Sequence, residues 1–185
     1  MARTPSNMIP LGTKATHFEL VDTKDNILKS LKSLKGEKAT VIMFICNHCP
    51  FVIHVNPEIS KLAKDYVDQG VNCIAISSND IENYPQDRPE LMQQVAAQED
   101  YIFPYLYDGN QMVAKSYDAA CTPDFYLFNS DLELVYRGQL DHSRPENNKP
   151  LNGRDLRNAI DATLNDQEVS DIQYPSIGCN IKWKN

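Results

Sequence analysis

The sequence predicts an α/β fold in which helices cover both faces of a central mixed β-sheet. Three observations carry this. Residues 40–45, Thr-Val-Ile-Met-Phe-Ile, form an almost unbroken apolar, β-rich run, as expected of a strand buried on both faces. Ile59, Leu62, Ala63, Tyr66 and Val67 then recur at helical spacing, and residues 71–76 supply a second core strand, completing a βαβ unit. Later, residues 124–128 and 133–137 read as two strands around an Asn129-Ser130-Asp131 turn, a hairpin. Alternation followed by a hairpin implies a mixed sheet.

The remaining elements follow in order. Residues 1–16 carry Pro5, Pro10 and Gly12 and read as an irregular lead-in. Residues 17–21 alternate as a short strand, Asp25-Asn26 marks a turn, and Ile27-Leu28 opens a second strand, giving an N-terminal β extension. Residues 30–34 read as a helical turn ended by Gly36. Pro57 falls inside the long helix and predicts a kink or a late restart, while Gly70 ends it. Residues 88–98 form a helix with Leu91, Met92 and Val95 on one face. Residues 101–107 are strand-like, but Pro104 makes that strand short or places it at an edge. Met112, Val113, Ser116 and Tyr117 suggest another helix, and residues 139–153 a long polar loop. A last amphipathic helix carries Leu156, Ala159, Ile160, Thr163 and Leu164. The C-terminal tail from Asn165 shows no periodicity, and Tyr174 and Trp183 are expected to pin it by burial. Nothing splits the chain, so residues 1–185 are read as one domain.

Composition narrows the function. With 18 Lys+Arg against 25 Asp+Glu, the net charge is −7. The sequence pI is near 5.0, which argues against nucleic-acid binding. No apolar run approaches the ~20 residues that span a bilayer, and the N-terminus lacks the apolar core of a signal peptide. The reading is a cytoplasmic protein with neither nucleic-acid nor membrane partner. Five cysteines are too few for a disulfide scaffold, and in a reducing compartment a close pair points to redox chemistry or metal binding.

Cys46 and Cys49 are that pair, separated by Asn47 and His48 at the expected start of a helix. This spacing brings two sulfurs within disulfide reach. The reading puts the Cys46 sulfur at the helix N-terminus, where free N–H groups and the dipole favour a thiolate, and Cys49 deeper in the helix as the resolving thiol. His48 can stabilise a thiolate as a cation or hydrogen-bond donor, which makes the pair more oxidising. Cys73, within a core strand, reads as buried and inert. Cys121 and Cys179 are candidate additional redox thiols. His54 reads as a solvated helix residue, and Asp141 and Arg144 lie in a loop where function can reside.

The chain resembles the thioredoxin fold, and within it the peroxiredoxin-like members of the alkyl hydroperoxide reductase/thiol-specific antioxidant (AhpC/TSA) group. The resemblance rests on the strand-then-cysteine run from Val41 through Cys46-Asn47-His48-Cys49-Pro50-Phe51 and on Cys121-Thr122-Pro123-Asp124 before a strand. Tyr136-Arg137-Gly138, Asp141-His142-Ser143-Arg144-Pro145 and the tail from Pro175 to Trp183 extend it. It implies that Thr122 and Pro123 form a cis peptide facing the thiol pair, with free backbone groups that bind an extended substrate by strand addition. Three features depart from these patterns, one being Ile45 where thioredoxins place a Trp before the first cysteine. Met43 stands where peroxiredoxins carry the Thr or Ser that hydrogen-bonds peroxide, and Thr40 stands where thioredoxins bury an Asp.

The expected activity is thiol–disulfide oxidoreduction by Cys46 and Cys49 with His48 as tuning neighbour. The partners would be a protein or small-molecule disulfide and a thiol electron donor. No cofactor is required, because the electrons travel through the dithiol. Three alternatives stay open. One is a thiol peroxidase with Cys46 resolved by Cys49 or Cys179; the others are a metal carrier using Cys46, Cys49 and His48, and a redox-sensing binding module.

Overall fold

The structure, a computed structural model, describes residues 3–184. Strand β4 (Ala39–Phe44) is its axis and is buried at every position. It pairs parallel with β5 (Val71–Ser77) and antiparallel with β8 (Asp124–Asn129). Because its side chains alternate, Val41 and Met43 enter one core while Ile42 and Phe44 enter the other. A continuous apolar run is therefore what a central strand covered on both sides requires.

The sheet extends on both sides of this centre. β6 (Tyr105–Tyr107) pairs parallel with β5. β2 (Glu19–Asp22) and β3 (Leu28–Ser30) continue from β6, and β9 (Leu134–Gly138) follows β8, giving the order β3-β2-β6-β5-β4-β8-β9. The first core is closed by α2 (Pro50–Tyr66), α3 (Pro89–Gln98) and α5 (Arg154–Leu164). The second is closed by α1 (Leu31–Leu34) and α4 (Met112–Ser116), with Phe18 and Tyr117. The mixed sheet with helices on both faces is as predicted.

One expectation is narrowed and three are corrected. β6 is short but not an edge strand: it begins after Pro104 and lies between β2 and β5, so the proline removes no N–H from the ladder. α2 neither breaks nor restarts at Pro57; Ile53, whose carbonyl loses its partner there, is exposed. The lead-in contains β1 (Arg3–Pro5) and the tail contains β10 (Ile177–Asn180). With β7 (Cys121–Thr122) they form a second sheet in the order β1-β10-β7. Tyr174 and Trp183 do not pin the tail by burial, being 50% and 40% exposed; Cys179 and Ile181, at 3% and 1%, fill that role.

Candidate functional site

Strand β4 ends at Phe44, and Ile45 continues its direction by donating its N–H to the Ile76 carbonyl. Cys46 therefore emerges at the C-terminal end of the central parallel pair, where α/β sheets place their sites. α2 begins only at Pro50, with Cys49 as its N-cap residue. Here the structure departs from expectation: the free N–H groups of the helix end lie beside Cys49, not Cys46. Proline at the first helical position suits that boundary, because its missing N–H is one the helix would leave unpaired.

The two thiols lie together against β7. Cys46 Sγ is 3.4 Å from the Thr122 hydroxyl, and Cys49 Sγ donates to the Thr122 carbonyl at 3.1 Å in the protonated pair. Both side chains are buried, and none of the five cysteines is in a disulfide. The Thr122–Pro123 peptide is cis, as the resemblance implies.

The sulfurs share a proton. A hydrogen bond from Cys46 lowers the Cys49 pKa below the ordinary thiol value; burial opposes this, and the Cys179 thiol and the N–H groups of Cys179 and Val52 add to it. The same bond pushes Cys46 well above the ordinary value, helped by burial and by the charge of Asp87. The pair titrates as a unit, with the thiolate favoured on Cys49 over Cys46.

The two intervening residues are clamped by a 3₁₀ turn, Pro85–Asp87. Asn47 donates its N–H to Asp87 Oδ1 at 2.8 Å and its amide to the Gln86 carbonyl at 2.9 Å, and it accepts from the Tyr105 hydroxyl at 3.1 Å. His48 Nδ1 lies 2.7 Å from Asp87 Oδ2, an oxygen that also accepts from Asn79 Nδ2 at 2.8 Å. The imidazole stacks on Tyr84 with ring centroids 5.6 Å apart. Cys46 Sγ, a His48 ring nitrogen and an Asp87 oxygen lie within 4.8 Å of one another. A metal held there would compete with the Asn47 N–H and the Asn79 amide, which already occupy Asp87.

Sequence reasoning did not find Asp87, Asn79 or Tyr84. The available signal was slight: Asp87 is an acidic residue in a turn bracketed by Pro85 and Pro89. The other candidates are held as follows. Cys73 is buried, and burial alone pushes its thiol up to about 12. Cys121 is the first residue of β7, where burial and the neighbouring Asp124 push its thiol upward; its Sγ contacts the Pro123 carbonyl at 3.7 Å. His54 is not simply solvated, since its Nε2 is 2.8 Å from the Ser143 hydroxyl. Asp141 accepts the N–H groups of Asn152 and Gly153 ahead of α5, and Arg144 ties three oxygens of its own loop. Thr40 accepts the Gly36 N–H. Among the described residues no helix is long and apolar enough to cross a membrane.

A thiol-disulfide oxidoreductase, ResA, of Halalkalibacterium halodurans is 29% identical over 125 residues, which span 67% of this chain and 65% of that protein. A solved structure of a conserved protein from Geobacillus kaustophilus is 56% identical, with a TM-score of 0.98, and the alignment covers 100% of this chain and 97% of that one. The thioredoxin domain of a thiol-disulfide oxidoreductase from Bacteroides vulgatus shares the fold, with a TM-score of 0.59 and 18% identity over 75% of this chain and 91% of that one. The Redoxin family profile matches residues 10–152. A thiol pair between the end of β4 and the start of α2, and a profile match over most of the chain, lead to one conclusion: this chain belongs to the Redoxin family, which has the thioredoxin fold.

Proposed function

We propose that this chain is a thiol–disulfide oxidoreductase whose C-x-x-C dithiol, Cys46 and Cys49, exchanges with a protein or small-molecule disulfide. The observation that carries the reading is the pair itself: two buried thiols set together against Thr122 and the cis Pro123, at the N-terminus of α2. Cys46 is the attacking thiol. It adjoins His48, the more exposed side of the site, and its proton passes to the Cys49 thiolate as it attacks. A Cys46–substrate disulfide forms, and the first substrate thiol leaves. Cys49 then attacks Cys46, and the second thiol leaves. Two electrons have moved from the dithiol to the substrate, and a thiol donor restores the pair. His48, held by Asp87, stabilises the thiolate forms. We place the protein in a reducing cytoplasm, where a close cysteine pair serves redox chemistry rather than a structural disulfide.

One observation favours a second reading, reduction of hydroperoxides. The Thr122 hydroxyl, 3.4 Å from Cys46 Sγ, offers the hydrogen bond that the residue at Met43 does not. Cys46 would become a sulfenic acid while the peroxide leaves as an alcohol or water. Cys49 would then condense with it, releasing water.

Insulin-disulfide reduction and peroxide consumption, run side by side, test both. The wild type is expected to reduce insulin, Cys46→Ser to lose that activity, and Cys49→Ser to accumulate a mixed disulfide. Peroxide turnover that exceeds insulin reduction and falls in Thr122→Val establishes the second reading. Absence of both activities and of any mixed disulfide rejects both.

A further inference from the structure

The C-terminal strand β10 lies antiparallel on β7, with Cys179 opposite Thr122 and Asn180 opposite Cys121. Its approach is very close. A Cβ on Gly178 would collide with the Thr122 carbonyl and come within 3.2 Å of the Pro123 nitrogen. Cys179 is buried in the same cluster as Cys46 and Cys49. Its thiol and its N–H both reach the Cys49 sulfur, and that sulfur also contacts the Thr122 carbonyl at 3.1 Å. The edge expected to receive an extended substrate is thus occupied by the chain's own tail, with a cysteine set at the inner sulfur of the pair.

We propose that Cys179 is a third redox thiol, which exchanges within the molecule with the Cys46–Cys49 disulfide to give a Cys49–Cys179 disulfide and a free Cys46. This rests on the dithiol reading, which supplies the oxidised pair. In the exchange Cys179 Sγ attacks Cys49 Sγ. The new S–S bond forms as the Cys46–Cys49 bond breaks, the bonding pair leaves on Cys46 Sγ, and the proton lost by Cys179 ends on that sulfur. One disulfide is consumed and one formed, so no external oxidant or reductant enters this step. Cys49 is the target because it is the sulfur Cys179 touches. The product ties β10 to the N-cap of α2 and leaves Cys46 reduced beside His48 and Asp87. Oxidation therefore locks the tail onto the Thr122 edge it already covers, without consuming the attacking thiol.

The test is disulfide mapping. Wild type, Cys46→Ser and Cys179→Ser are oxidised with diamide, quenched in acid, alkylated and mapped by mass spectrometry, with circular dichroism confirming that each is folded. Oxidised wild type is expected to divide between the two disulfides, with alkylation at Cys46 at least ~10-fold above that in Cys179→Ser, the size of step that a thiol-exchange equilibrium resolves. Cys46→Ser is expected to form the Cys49–Cys179 bond alone. If wild type carries only Cys46–Cys49 and Cys46→Ser keeps both remaining thiols free, the inference is overturned while the dithiol reading stands. If wild type forms neither disulfide, both fall. The wild-type map reads the partition directly, even if Cys46→Ser does not fold.

Discussion

His48 Nδ1 and Asp87 Oδ2 are 2.7 Å apart although their residues are 39 positions apart in the chain. Asp87 is fully buried and accepts two further hydrogen bonds, from the Asn47 N–H and the Asn79 amide. The acid fixes the imidazole's orientation and ties both residues between Cys46 and Cys49 to the Pro85–Asp87 turn. It also acts on Cys46 directly, since its charge opposes the thiolate and raises that pKa.

These two effects have opposite signs, which separates them experimentally. In a Cys49→Ser background, where the shared proton is gone, Asp87→Asn is expected to shift the alkylation midpoint of Cys46 to lower pH. The same substitution in the otherwise native protein is expected to slow disulfide exchange by roughly 10- to 100-fold, the range associated with losing a partner that orients a reactive group. Faster exchange in Asp87→Asn would show that the charge outweighs the orientation. Asp87→Ala leaves a buried amide and a backbone N–H without a partner and is expected to cost about 2–4 kcal/mol in a denaturant titration.

The sequence made β4 and α2 legible because their signals are local. Ala39 to Phe44 is apolar at every position but one, and α2 repeats its buried residues at helical spacing. The thiol pair was legible for the same reason: its members are three positions apart. Asp87 was hidden because no periodicity marks a single acid in a turn. β10 was hidden because only four residues pair, on one side against a two-residue strand, and because its fit depends on a missing side chain at Gly178. The start of α2 was misplaced by three residues, which moved the helix end from Cys49 to Cys46.

Gly178 carries the fit of the tail. Gly178→Ala drives a methyl group into the Thr122 carbonyl, which as backbone cannot swing aside. The expected result is a loss on the order of 3 kcal/mol, the upper range for single substitutions, with faster hydrogen exchange at Cys179 and Asn180. An unchanged melting temperature together with unchanged protection would show that β10 does not depend on this approach.

Cys73 separates burial from chemistry. Its thiol is pushed up to about 12 by burial alone, and it lies in β5 on the core face that α2 covers. Native protein at pH 8 is expected to leave Cys73 unalkylated, and Cys73→Ala to retain wild-type exchange rates with a stability loss of about 1 kcal/mol. A tenfold fall in exchange would make Cys73 part of the redox path.

Asp124, next to Pro123, sets a pH dependence that is independent of the thiols. It is fully buried, and burial raises its carboxyl from 3.8 to about 7; hydrogen bonds from Ser6, Tyr126 and two backbone N–H groups oppose this without cancelling it. Below pH 3.8 the folded and unfolded chains both hold this proton, and the group costs nothing. Between pH 3.8 and about 7 the unfolded chain releases the proton while the folded chain keeps it, so stability falls as pH rises and levels off above that window. The fall has a ceiling of ~4 kcal/mol at 1.36 kcal/mol per unit. Cys49 works in the opposite direction. Its lowered pKa stabilises the folded state as pH rises toward the ordinary thiol value of 9.0. Urea titrations from pH 4 to 8 should therefore show the decline more steeply in Cys49→Ser than in wild type, and Asp124→Asn should remove it. A decline that persists in Asp124→Asn would move its origin away from this carboxyl.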